Sequence, residues 1–348
     1  MTTHERMART YAHLETDRVP IHDGPWAGTL RRWHAEGMPE GDWRDALGVD
    51  KVEAIFVDVS PQYPVETLEE NERSFVQTTS WGATMRHFKS LDSTPEFLGA
   101  RVTTPDAWRE AKARLAVSDD RIPFEHLAQE YPKWRADGRW FEAVLIFGFD
   151  LTHAGITGTE NLLIAMLEEP EWVREMFDTL LDTSIALYDR VWDAGYHFDG
   201  VMWPDDMGYK GTQFFSLPIY RDLLKPVHAR AVEWAHSKGA KVRLHSCGDI
   251  RPFVPELVEI GIDALNPLEI KAGMDPFALK KAFGDRLVLH GGIDAQRMKE
   301  EEWVMAEIDR LVPVLKDKGG YIFASDHSIP SDVPYATMQR ILQHVKEL

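Results

Sequence analysis

The sequence predicts a single-domain α/β protein over residues 1–348, a (β/α)8 TIM barrel with an N-terminal or inserted subdomain over the barrel mouth. Three observations predict it. Short apolar runs alternate with amphipathic helical stretches from Phe141 to the end of the chain, the signature of parallel β/α architecture. Eight such runs can be counted. Residues able to do chemistry cluster just past the ends of those runs, where a barrel gathers its active site.

Each element has a local reason. Phe141–Gly148 is a continuous apolar run closed by glycine, as expected of a buried strand. Glu160 to about Ala194 then reads as two helical segments, with Pro170 at a helix start. The strand Phe198–Trp203 stops at Pro204-Asp-Asp206, and the helix Pro218–Lys238 ends at Gly239. The strand Lys241–His245 precedes a helix from Pro252 to Ile260. The strand Ala264–Ile270 precedes a helix from Pro276 to Phe283. The strand Leu287–His290 precedes a helix from Glu301 to Lys318, and the strand Tyr321–Ala324 precedes the closing helix Tyr335–Leu348. Arg18–Ile21 and Glu53–Asp58 supply the remaining two strands. The stretch from about 65 to 140 is irregular and reads as a hairpin or helical excursion over the mouth. An open doubly wound sheet would announce a glycine-rich phosphate loop, and neither G-x-G-x-x-G nor a Walker motif occurs.

Composition narrows the function. A net charge of −18 argues against a nucleic-acid backbone as partner. No apolar run approaches the length of a membrane span, and the polar N-terminus does not read as a secretory signal, so a cytoplasmic location is expected. A single cysteine, Cys247, excludes an intrachain disulfide and any zinc site built on two or more thiolates. The twelve tryptophans are expected mostly in core packing, with one or two lining a pocket.

At the strand ends, His245-Ser-Cys247 is the sharpest feature. Alternate residues of an extended segment face one side, so His245 and Cys247 can point together into the mouth. Imidazole and thiolate are preferred zinc ligands. Glu269 and His327, at the ends of other strands, complete a metal-site expectation; a buried cysteine beside a hydrogen-bonded histidine is the alternative. Asp58, Asp206 and Asp326 are candidate acid/base groups. For Asp205-Asp206 a turn or helix cap, and for Asp58 a strand-end hydrogen bond, are equally open. Gly291 and Gly292 let backbone approach a cofactor closely, or serve a tight turn before Asp294 as helix cap. His153 is as readily structural as functional, and His228 and His236 fall on a helix and are expected to be structural.

The sequence resembles the uroporphyrinogen decarboxylase superfamily. The resemblance rests on Leu244-His-Ser-Cys-Gly-Asp249, Gly261-Ile-Asp-Ala-Leu-Asn-Pro-Leu-Glu269 and Asp285-Arg-Leu-Val-Leu-His-Gly-Gly-Ile-Asp294, supported by Trp203-Pro-Asp-Asp-Met-Gly208, Gly158-Thr-Glu-Asn-Leu-Leu163 and Arg18-Val-Pro20. It implies one of two chemistries. Corrinoid-linked methyltransferases of this fold use zinc, held by a His-x-Cys pair, a Glu on the next strand and a late Cys. True decarboxylases act on a tetrapyrrole without a cofactor and carry an N-terminal Arg-x-x-Gly-Arg element, an early Asp and a late His. This chain has His245, Cys247 and Glu269, but Ser325-Asp-His327 stands where the late Cys would be, and the arginine element is absent. Asp58 and His327 match the decarboxylase Asp and His by position. The resemblance therefore implies a Zn2+-dependent methyltransferase working with a corrinoid on a separate protein; the alternative is a cofactor-free decarboxylase or lyase. A non-catalytic binding barrel is a third class. The expected partners are a small-molecule substrate, a corrinoid protein and a second copy of the chain as a homodimer, with neither nucleic acid nor membrane.

Overall fold

The computed structural model describes residues 1–89 and 94–348; part of the expected 65–140 excursion, residues 90–93, lies outside the described residues. Its centre is a curled parallel sheet of seven strands paired in chain order: β1 (Val52–Ile55), β2 (Trp140–Val144), β3 (Gly200–Pro204), β4 (Lys241–His245), β5 (Ala264–Asn266), β6 (Val288–His290) and β7 (Tyr321–Ile322). Every pairing is parallel, with Val52 opposite Trp140, Glu142 opposite Gly200, and His245 opposite both Pro204 and Asn266. β2 to β7 are largely buried runs rich in Val, Leu, Ala and Trp, as strands covered on both faces require, while β1, at the sheet edge, is only partly buried.

The eighth expected strand, Arg18–Ile21, is instead a single bridge, Ile21 to Phe323. The difference has a local cause. Pro20 has no amide hydrogen to donate, and the Ile21 amide is taken by the Asp50 carboxylate at 2.8 Å rather than by a neighbouring backbone. The segment still meets both sheet edges: Phe323 N donates to Pro20 O at 2.8 Å, and Asp50 N donates to Ile21 O at 3.0 Å.

Helices connect the strands where the periodicity places them. Thr159–Glu168 and Pro170–Asp193 lie between β2 and β3, and the long helix buries Trp172, Val173, Met176, Phe177, Leu180, Leu181, Leu187, Tyr188 and Val191 at three- and four-residue spacing. The expected helix 218–238 is in three pieces: Leu217–Ile219, a π turn over Tyr220–Leu224, and Lys225–Ser237. Asp275 caps Pro276–Phe283 by accepting from Phe277 N at 2.9 Å. The excursion is neither a hairpin nor purely helical. It forms a four-stranded antiparallel sheet (Thr67–Glu70, Ser74–Thr78, Ala83–Phe88, Glu96–Ala100) followed by helices Pro105–Lys112 and Phe124–Ala136. Phe97 of that sheet lies over Gly158, in the loop after β2; a Cβ on Gly158 would meet the ring at 2.9 Å. No helix among the described residues is long and apolar enough to cross a membrane.

The inside of the sheet is layered. At the strand starts, Met7 and Tyr11 of helix Thr3–Tyr11 pack on Trp140, Ala264, Val288 and Ile322. Above them, Glu142 of β2 and Arg243 of β4 form a buried ion pair across β3, where Gly200 leaves room: a Cβ there would stand 3.2 Å from Glu142 Cγ. Trp33 and Trp108 are fully buried in the core, as expected of most tryptophans.

Candidate metal centre and adjoining cavity

The loops that follow β3 and β4 touch backbone to backbone. Gly248 has φ +82°, and a Cβ on it would stand 2.2 Å from the carbonyl carbon of Gly208; a Cβ on Gly208 would stand 2.5 Å from Cys247 O. Only glycine at both positions permits this approach. The approach puts the first loop's Asp206 beside the second loop's Cys247, whose amide donates to Asp206 Oδ1 at 2.8 Å.

Among the described residues, Asp206, His245 and Cys247 thereby bring one ligand atom each within 4.8 Å of one another. His245 Nε2 is 3.5 Å from Cys247 Sγ and 3.8 Å from Asp206 Oδ1. Metal–ligand bonds of about 2.0–2.3 Å set tetrahedron edges of roughly 3.3–3.8 Å, the range into which both distances from His245 Nε2 fall. The imidazole is also oriented for it. Nδ1 donates to Asn266 Oδ1 at 2.7 Å, which leaves the Nε2 lone pair facing the other two donors. Burial pushes the Cys247 thiol up, and Asp206, Glu269 and Asp150 push it further. Burial likewise raises Asp206, against the pull of His245. A divalent cation among these donors would offset that cost.

The other expected site residues are placed as follows. Glu269 accepts from Gly248 N at 2.6 Å and stands 3.7 Å from Lys271 Nζ, outside the three-residue cluster but bracing its loop. Asp326 is fully buried and accepts from Ala295 N at 2.9 Å and Ile270 N at 3.2 Å, which ties together the loops after β5, β6 and β7. Asp58 accepts from Ser60 N and Oγ and from Gln62 Nε2; burial raises its carboxyl, but these bonds outweigh it and hold the group below the usual carboxylate range. Gly291 and Gly292 both have positive φ, and Cβ atoms there would meet Leu268 N and Ser325 O at 3.1 Å and Pro276 at 3.3 Å, so the pair packs one strand end against its neighbours. His228, expected to be structural, lies directly behind the cluster: its Nε2 is 2.8 Å from the buried Asp205 Oδ2, and Tyr220 OH is 3.3 Å from its Nδ1.

Beside the cluster, a cavity of about 320 Å³ is lined by His22, Asp23, Arg243, His245, His290 and His327, among others. The ring of Trp26 lies 5.8 Å from that of His327. His22, Asp23, Asn266 and Arg243 were not singled out from the sequence. For Arg243 there was a signal, since Lys241, Arg243 and His245 alternate along one face of β4.

The family model for uroporphyrinogen decarboxylase (URO-D) matches residues 151–348, more than half of the chain. The chain belongs to the uroporphyrinogen decarboxylase family. No curated protein matches it in sequence. Among solved structures, it is similar to a methyltransferase from Methanosarcina mazei with a TM-score of 0.69 at 15% identity, over 100% of this chain and 99% of that one. A psychrophilic glycoside hydrolase family 10 endo-beta-1,4-xylanase gives a TM-score of only 0.40 at 14% identity, over 66% of this chain and 83% of that one. In this family member the matched region begins after β2 and contains all three clustered donors.

Because two glycine backbones meet there, Gly248→Ala is expected to force the two loops apart. The positive φ and the overlap together should cost at least about 2 kcal/mol. Metal affinity should fall more than about ten-fold, since misplacing one donor spoils the tetrahedron. Equilibrium dialysis against zinc, paired with a chemical denaturation curve, checks both; wild-type values in each would show that the glycine contact does not organise the site.

Proposed function

We propose that this URO-D family member is a zinc-dependent methyltransferase that moves a methyl group between a small methylated substrate and a corrinoid held on a separate protein. The observation that carries the reading is the convergence of Asp206, His245 and Cys247, a nitrogen, sulfur and oxygen donor set within 4.8 Å of one another at the ends of two neighbouring strands. The Arg18–Ile21 segment, which meets both edges of the sheet, is read as the element that closes a (β/α)8 barrel around this mouth.

In this proposal Asp206, His245 and Cys247 hold the metal, and Asp206 takes the ligand place left by the missing late cysteine. Zinc bound there would supply Lewis acidity toward the atom that carries the methyl group. Asn266 fixes the His245 tautomer, Glu269 braces the Cys247 loop through Gly248 N, Asp326 ties the loops after β5, β6 and β7, and His327 lines the cavity where the substrate would lie. Three protein donors would leave a zinc ion bound there able to take a substrate atom as its fourth ligand, as catalytic rather than structural zinc sites do.

The test is spectroscopic. Zinc-loaded protein, mixed with cob(I)alamin on its cognate corrinoid protein and a panel of methyl ethers, methylamines and methyl thioethers, is expected to convert the cob(I)alamin spectrum to that of the methylated form with at least one donor. Uroporphyrinogen III incubated anaerobically with the same protein should remain unconsumed, because eight carboxylates need several arginine forks and the cavity offers only Arg243, already paired with Glu142. Stepwise loss of carboxylates, with no corrinoid response to any donor, would replace the methyl-transfer reading by decarboxylation.

A further inference from the structure

Around the ring of strands the inner face of the sheet changes character. Alternation along the strands and the register between them put Ala54 level with Glu142 on that face, and Glu142 reaches Arg243 across it. Above that layer β4, β5 and β6 present His245, Asn266 and His290, which line the cavity. On the β1 to β3 side the inner residues are Phe56, Val144 and Met202, with no polar side chain among them. Phe56 follows β1 directly. Ile55 and Val57, on either side of it, are both buried in the core that the helices cover, so Phe56 points the other way, with Ala54 below it. Ala54 is exposed, and Phe56 is 63% exposed among the described residues. The inside of a curled sheet is normally filled by packed side chains, and an aromatic ring standing open there marks room for something else.

That room adjoins the cavity. The His22–Gly24 segment is part of the cavity wall and is also β1's neighbour in the ring: Ile21 bridges to Phe323, just past β7, and its carbonyl accepts from Asp50 N, just before β1. Past Asp50 no ladder joins the segment to β1 among the described residues, and Ala54 and Phe56 stay uncovered. We propose that the molecule taken here is amphipathic: an apolar body, such as an aromatic ring, lies on Phe56 and Ala54, and a polar end turns toward His245 and Asn266. The two ends follow from the two walls. The exposed Ala54 lies level with the buried Glu142–Arg243 pair, a depth that a small molecule reaches and the surface of another protein does not. A molecule with no apolar body would leave the Phe56 ring in water and forgo the burial that drives binding. His245 belongs to both the cavity wall and the donor cluster, so the polar end lies next to the metal ligands. The inference rests on the methyl-transfer reading only in calling this molecule the substrate.

Three probes titrated into the purified protein by ligand-observed NMR test it: benzyl alcohol, ethanol and toluene. Benzyl alcohol is expected to bind at least about ten-fold tighter than ethanol, because of its ring. It should bind no more weakly than toluene, since a hydroxyl that met no polar partner would lower its affinity. Phe56→Ala should weaken benzyl alcohol binding about ten-fold and leave the melting curve unchanged, because the ring it removes is open rather than packed. Ala54→Leu should fill the space and block the probe. Leu167→Ala, on the outer helix Thr159–Glu168 and 70% exposed, should change nothing. Equal affinities for benzyl alcohol and ethanol, toluene binding ten-fold tighter than benzyl alcohol, or no binding of benzyl alcohol at its solubility limit would each overturn the proposal. Wild-type probe affinity in either Phe56→Ala or Ala54→Leu would overturn it too, and if Phe56→Ala then weakened only the binding of a corrinoid protein, the ring would belong to a docking surface instead. None of the probe titrations uses turnover or metal, so a zinc-free protein would sink the methyl-transfer reading and leave this one standing.

Discussion

Cys247→Ser is expected to empty the metal centre. Wild-type protein prepared without chelator should carry close to one zinc per chain by elemental analysis, and the variant a small fraction of that. The thiolate is the softest of the three donors, and a serine hydroxyl stays protonated and binds zinc weakly. The two remaining donors, His245 and Asp206, do not make a zinc site by themselves. Any methyl transfer should fall by at least about a thousand-fold, the scale expected when the group that stabilises developing charge is lost. The fold should survive, because Cys247 lies in a loop held independently by Asp206, through its own amide, and by Glu269, through that of Gly248. Asp206→Asn makes the complementary test: the amide keeps the Cys247 bond and loses the charge. Wild-type protein that stays metal-free after zinc reconstitution would remove the main support for the proposed function.

Arg243→Met is expected to be strongly destabilising inside the curled sheet. It leaves the Glu142 carboxylate buried against Trp140 with no cation, and unpairing a buried charge costs about 3–5 kcal/mol. Glu142→Gln should cost a comparable amount for the mirror reason. The double variant Arg243→Met/Glu142→Met should be closer to wild type than either single change, since removing both charges also removes both desolvation penalties. Calorimetric melting should show the single variants roughly 5–15 °C below wild type. Additive losses in the double variant would mean that the two residues do not act as a pair.

Much of the fold was legible because the strands after Phe141 are short, apolar and separated by helices with proline near their starts and glycine past their ends. Those are local signals, and they located β2 to β7 to within a few residues. Arg18–Ile21 reads as a strand from its apolar residues, but strand formation depends on what takes its amides, and Asp50 is 29 residues away. The sequence marks the excursion only as a hairpin or helical segment, and its first strand stays hidden because Thr67–Glu70 is exposed at every position, so no apolar alternation marks it.

For the site, the sequence by itself determined the chemistry on offer: one thiol, a histidine two residues before it on the same strand face, and acids at neighbouring strand ends. It also determined the family, because the motifs that carry the resemblance lie in contiguous segments. The tertiary structure decided which donors meet. Asp206 rather than Glu269 joins His245 and Cys247 in the donor cluster, because the Gly208–Gly248 backbone contact pulls the β3 and β4 loops together while Gly248 N binds the Glu269 carboxylate. His228 gained a place behind the cluster and Asp326 the part of a loop tie for the same reason: a side chain's role depends on what lies within about 3 Å of it. Strand-end position narrows that to a mouth, and only packing of the loops against one another settles the rest.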